Sequence, residues 1–255
     1  MTCKSFGWRP PTQLSTLSWS LVEEVARQAV SSMATDDEVS RLPVYSSGTT
    51  SWLSILYRYE PLPIFDVLMG GYIEYRNGDK STVQALSEYH YCSAASCNYP
   101  MTSGSHYAEF EIIAGLPYLG IMRPIDTGGA REIYPFFGHF YPVFLAQRSE
   151  DWGDSDVHVC EYFSQDGKMC WINWDDDEDN WYLDWKGMES CRAGDTVGML
   201  LNLDEGTLTV YKNNLRLGIM KNDLHGSYCW FVTLLDNDTV ALKGGTRPTG
   251  ASSDQ

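Results

Sequence analysis

The chain has 255 residues and carries 34 Asp or Glu against 18 Lys or Arg, a formal net charge of −16. That balance argues against nucleic acid as a partner, because its non-specific capture rests on cations meeting phosphates. A content of 43% hydrophobic and 13% aromatic residues predicts a packed chain rather than a disordered one, and no apolar run approaches the ~18 residues of a membrane span, so no membrane partner is expected.

The first eleven residues hold Lys4 and Arg9 but no apolar stretch, so secretion is not expected. Ser20-Leu21-Val22-Glu23 fits a capping box, in which hydroxyl and carboxylate each satisfy an orphan amide. Leu21, Val22, Val25, Ala26, Ala29, Val30 and Met33 then recur at helical spacing. They predict a helix over about 18–34, within an N-terminal extension of residues 1–44. From Tyr45 the pattern changes to short strands. The aromatic run Trp52–Tyr59 reads as one, closed by Pro61 and Pro63. Tyr72–Arg76 and Ser81–Leu86 flank Asn77-Gly78, a tight hairpin signal. Further runs are expected at Tyr107–Ala114, Tyr118–Met122, Val157–Phe163, Thr196–Leu203, Thr207–Lys212 and Tyr228–Leu235. Short strands separated by turn residues predict a mainly β domain over 45–243, a β-sandwich or a barrel rather than a helical or α/β design. Gly244–Gln255, rich in Gly, Thr and Ser, predicts a flexible tail.

Seven cysteines, an odd number with no C-x-x-C pair, predict free and mostly buried thiols in a reducing compartment. The expected location is therefore intracellular, cytoplasmic or nuclear, and the sequon at Asn237-Asp238-Thr239 would stay unmodified. Between Asp151 and Ser190 twelve acids face two lysines, Lys168 and Lys186, so a charged partner of that segment should be basic.

Few motifs propose chemistry. Asp175–Asp179 invites a calcium site, but with Asp175 as the first ligand Asn180 stands where the loop needs Gly and Lys186 where it needs Glu. A solvated acidic loop is expected, with no metal or other cofactor. The five histidines share no metal-ligand spacing, and no nucleophile elbow, zinc-protease helix or phosphate loop occurs. Leu62–Leu68 has a faint F-box-like start without the helical bundle that should follow. Trp171, Trp174, Trp181 and Trp185 flank the acidic run, a composition that a carbohydrate binder or glycosidase would also show.

The most specific stretch is Gly194–Gly218. An apolar strand, Val197–Leu203, turns at Asp204-Glu205-Gly206 into an alternating strand, which turns again at Asn213-Asn214. This order resembles the SPRY domain family, and two other stretches are similar to it. They are Gly104–Glu111 followed by Leu119–Pro124, and Tyr228–Val232 followed by Asp236–Val240. Asn202 and Asn214 depart from the family's usual Asp and Gly, and the segment from Ile125 to Glu189 does not align. The resemblance implies two packed antiparallel sheets with a preformed partner site among the loops. It implies a non-catalytic module for a peptide or protein epitope, acting as a substrate receptor or scaffold. Positions beside the matching strands carry over as site residues: Tyr118, Arg123, Leu235, Asp236 and Asn237. Trp152, Asp154 and Trp174 join them as loop residues, two of them aromatics of the kind that dominates interface energetics. A lectin-like protein or glycosidase built on the Trp-rich acidic segment stands as the alternative.

Overall fold

In the computed structural model the described residues are 20–33, 44–46, 50–58, 63–129, 134–135, 138–175 and 180–245. The chain forms two compact units, Met1–Pro61 and Leu62–Gln255. Residues 45–61, expected in the sandwich, group with the first unit, and the tail from 246 onward lies outside the described residues.

Among its described residues the first unit has two helices, α1 (Leu21–Met33) and α2 (Trp52–Arg58), which pack on each other. The Ser20 hydroxyl accepts the Glu23 amide at 3.2 Å, as the capping box requires. The Glu23 carboxylate does not complete the box. It accepts the Trp52 amide at 2.6 Å, at the head of α2. Ser51 caps the same helix through the Ser54 amide, 3.0 Å away. These acceptors explain why Trp52–Arg58 is helical where the sequence predicts a strand. A short apolar run has no period that separates the two, and the terminal amides find partners only in the helix. Ala26, Val30 and Ile55 are buried, whereas Leu21, Val22 and Val25, expected on the packed face, are exposed.

The second unit is the predicted two-layer antiparallel sandwich. Its described residues form two seven-stranded sheets. The first runs β1 (Val67–Met69), β4 (Cys92–Ala95), β13 (Cys229–Leu234), β6 (Tyr118–Met122), β7 (Val159–Phe163), β8 (Met169–Ile172) and β9 (Asn180–Leu183). The second runs β12 (Leu215–Lys221), β11 (Thr207–Lys212), β10 (Thr196–Asn202), β5 (Ser105–Ala114), β14 (Thr239–Gly244), β3 (Thr82–Ala85) and β2 (Ile73–Tyr75). Asn213-Asn214 makes the hairpin turn between β11 and β12, and Asp236-Asn237 makes the turn that carries the chain from β13 in one sheet to β14 in the other, all four residues at positive φ.

Period-2 alternation fills the space between the sheets with Phe110, Leu119, Ile121, Met199, Val210, Trp230 and Val240, all buried. The unaligned segment supplies β7, β8 and β9 and the short helix α3 (Tyr141–Leu145). That segment also builds a second core on the outer face of the first sheet, where Phe144, Trp152 and Trp174 cover Met122, Val159, Ile172 and Phe231. Among the described residues no helix is long and apolar enough to cross a membrane.

Candidate functional site

Antiparallel pairing decides which of the expected site residues can meet. Tyr118 opens β6 opposite Thr233 near the end of β13, while Met122 closes β6 opposite Cys229 at its start. Tyr118 and Leu235–Asn237 therefore share one end of the sandwich. Arg123, Trp152, Asp154 and Trp174 lie at the other, roughly 16 Å away along β6. The eight residues form two groups, not one site.

The Arg123 group is mostly interior, which corrects the expectation of an exposed contact surface. Arg123 is 0% exposed, Trp152 3% and Trp174 2%. The Arg123 guanidinium donates to the backbone carbonyls of His225 (2.9 Å), Ser227 (2.9 Å) and Ser155 (3.0 Å), and it lies over the Tyr228 ring at 4.1 Å. Burial pulls its pKa down. A planar fork with five donors is suited to collecting carbonyls from separate loops, and here it ties 155 and 225–227 to the end of β6. Trp174 donates its indole N–H to the Pro135 carbonyl, and its backbone amide donates to His158 Nδ1 at 2.8 Å. Only Asp154 of this group is exposed. Trp152 and Trp174 were singled out by residue type and Arg123 by its place after a matching strand, and neither separates an interface side chain from one that seals a loop onto a sheet.

At the opposite end the loops 86–91, 115–117 and 235–238 come together. Leu116 and Leu235 both donate their amides to the Asp238 carboxylate, at 2.7 and 2.9 Å. The Asp236 backbone amide donates to the Ser87 carbonyl at 3.1 Å. Burial pushes the Asp238 carboxyl up to about 6, against the pull of these two amides. Gly115, at φ +73, lets the chain pass Asp238, since a Cβ there would lie 1.8 Å from Oδ1.

This junction carries a surface of tyrosines. Tyr72 stacks on His90 at 4.6 Å, Tyr91 on half-buried Tyr118 at 6.3 Å, and Phe163 bridges Tyr118 (4.5 Å) to Tyr182 (4.9 Å). Tyr72, Tyr91 and Tyr182 are exposed, as are Leu86 and Leu116, and Tyr89 is 85% exposed. Tyr182 sits at φ +56, a conformation that costs a bulky residue energy and recurs where a side chain is held for a purpose. Glu88, Asp236 and Asn237 give the rim an acidic and polar character. Sequence reasoning found Tyr118 and Leu235–Asn237 here and missed Tyr72, Tyr89, Tyr91 and Tyr182. The run Tyr89-His90-Tyr91 between Ser87-Glu88 and the buried Cys92 was the available signal, because aromatics in a polar turn have no core to enter.

Beneath the patch Glu161, opposite Gly120 in β6, is fully buried. The Thr233 hydroxyl lies beside it, yet neither carboxylate oxygen makes a hydrogen bond, and burial pushes the carboxyl up to about 8. Glu161 is therefore a neutral acid at pH 7. On the far side of the same end lies a cavity of about 560 Å³ lined by Glu189, Cys191, Arg192, Asp195, Lys212 and Arg216. The Lys212 ammonium donates to Glu189 (2.6 Å) and to the Ser190 carbonyl (2.7 Å), and the Glu189 hydrogen bond raises its pKa.

The described tryptophans of the acidic segment pack against the sheets. Trp174 is buried, and Trp171 and Trp185 are half-buried against the inter-sheet core, Trp185 bonding the Gly167 carbonyl at 2.7 Å. The Trp181 side chain lies outside the described residues, as do residues 176–179 of the acidic run. Asp175 is ion-paired with Arg148 at 2.9 Å. Among the described residues no three His, Cys, Asp or Glu side chains are grouped as metal ligands.

No family model matches the chain, and no curated protein matches it. Among solved structures it is similar in fold to the SPRY domain of human HERC1, at 13% identity over 70% of this chain and 98% of that one, with a TM-score of 0.47. It is also similar to the TRIM65 PSpry domain, at 14% identity over 80% and 100% of the two chains, with a TM-score of 0.44.

Proposed function

We propose that the second unit is a non-catalytic interaction module that takes a peptide or protein epitope on the tyrosine surface around Tyr72, Tyr91, Tyr118 and Tyr182. The observation that carries this reading is the concentration of exposed tyrosines beside loops that a buried carboxylate, Asp238, ties together through the Leu116 and Leu235 amides. Tyrosine supplies a large, rigid, amphipathic contact at low entropic cost, and preorganised loops lower the ordering penalty of association. Glu88 and Asp236 at the rim, together with the net charge of −16, favour a basic epitope over nucleic acid or an anionic membrane. The same reading takes the module as a substrate receptor or scaffold inside the cell, a location supported by the free thiols of Cys92, Cys97, Cys160, Cys191 and Cys229.

The test is selection of peptides from a displayed random library against the intact chain. Tyr91→Ala and Tyr182→Ala are each expected to weaken a selected peptide about 10- to 30-fold, or about 1.4–2 kcal/mol. Asp154→Ala, at the other end, should leave the affinity alone. Unchanged affinity in folded tyrosine variants would overturn the reading.

A further inference from the structure

The cysteines contain one arrangement that the interaction reading does not use. Cys97 Sγ lies 3.6 Å from Cys229 Sγ, the one sulfur–sulfur contact among the described residues. Cys229 is fully buried in β13, where it pairs with Met122. Cys97 is partly exposed, two residues past the end of β4. Its loop is fastened on both sides. The Ser96 amide donates to the Trp230 carbonyl at 2.9 Å, the Asn98 amide to Asp66 at 3.0 Å, and Met101 bridges to Tyr228. The other buried thiols are not so placed. Cys160 and Cys170 lie on adjacent strands but face opposite sides of the sheet, and Cys191 sits beside the Tyr162 hydroxyl.

We propose that Cys97 and Cys229 are a peroxide-responsive thiol pair that closes to an intramolecular disulfide. The sulfurs are about 1.5 Å beyond bonding distance, and the register that sets Phe231 opposite Ala95 and bonds Ser96 to Trp230 continues to put Cys97 across from Cys229. Fastening both thiols in contact makes the closing step effectively unimolecular. Cys97, the accessible member, is attacked first. Its thiolate takes one oxygen from hydrogen peroxide to give the sulfenic acid, and the other oxygen leaves as water once protonated. The Cys229 thiol then attacks the Cys97 sulfur. The S–S bond forms, the S–OH bond breaks, and hydroxide leaves as a second water with the Cys229 proton. Two thiols are oxidised and one peroxide is reduced. Cys229 is buried in contact with Cys97, which keeps the oxidant from it and leaves it to attack second. Burial also raises its pKa well above the ordinary thiol value, so it is not the thiol oxidised first.

The experiment treats the full chain with a small excess of hydrogen peroxide at neutral pH, quenches it, and alkylates the remaining thiols after denaturation. The expected product is monomeric and two hydrogens lighter, with two fewer alkylated thiols. Its unreduced peptide map should place the link at Cys97, not the nearby Cys92, and at Cys229, and dithiothreitol should release it. Cys97→Ser should abolish the product, and Cys229→Ala should leave a sulfenic acid at Cys97 that dimedone traps. Because the link spans 132 residues, oxidation should raise the thermal midpoint of the wild type and leave that of Cys97→Ser unchanged. A link to Cys3 or Cys92, a disulfide between two chains, or Cys97 carrying two or three oxygens while Cys229 remains alkylated would each overturn the proposal.

Discussion

A carboxyl group with no hydrogen bond, sealed under a sheet face, makes stability depend on pH. The buried Glu161 holds its proton up to about pH 8, whereas the unfolded chain releases it near 4.5. The native state therefore binds the extra proton between those values. Its stabilising effect is complete below pH 4.5 and is lost as pH rises through 8, at up to about 1.4 kcal/mol per pH unit. Glu161→Gln keeps the shape without the ionisable proton. The variant should lose less stability than the wild type between pH 6 and 9, read from urea midpoints at each pH; parallel profiles would contradict this. Arg123 presents the opposite case, a buried cation answered by three carbonyls. Arg123→Ala leaves those carbonyls without their donor and should cost about 3 kcal/mol or more in denaturant titration, with Arg123→Lys recovering only part. A binding loss in Arg123→Ala should accordingly track unfolding.

At the scale of elements, Asp238 joins two loops through one side chain. Asp238→Ala should cost about 1–3 kcal/mol. It should also speed hydrogen exchange at the Leu116 and Leu235 amides, while core amides such as Ile121 exchange at a rate set by global stability. The strands next to these loops were legible from sequence. Tyr118–Met122 and Thr207–Lys212 have the predicted boundaries, and Asn213-Asn214 turns at positive φ as its residue types imply. Two kinds of element were not legible. Trp52–Arg58 is helical because acceptors from Ser51 and Glu23 meet its first amides, and the second of these comes from another helix. Trp152 and Trp174 disappear into a second core because a long insertion folds over a sheet face that alternation alone would leave to solvent. The split of the expected site into two ends has a similar origin. Tyr118–Met122 and Cys229–Leu234 were each recognised, but neighbouring antiparallel strands deliver their final residues to opposite edges, and that follows only from pairing.

Across the whole molecule, 34 acids against 18 bases set a long-range field that a basic epitope would feel before contact. Raising the salt from about 0.05 to 0.5 M should slow association of a selected basic peptide several-fold, with a smaller change in its dissociation. Equal slowing of a neutral peptide would remove the electrostatic explanation. The Arg123 clamp has a consequence in time as well as in energy. It gathers carbonyls from positions 155, 225 and 227, up to 104 residues from the arginine itself. Such distant segments meet only after the sheets have paired, so the clamp should form on the native side of the folding barrier. In stopped-flow experiments Arg123→Lys should then accelerate unfolding and leave the refolding rate nearly unchanged. The guanidinium would act as a latch, setting how long the native state persists once reached rather than how quickly it is found.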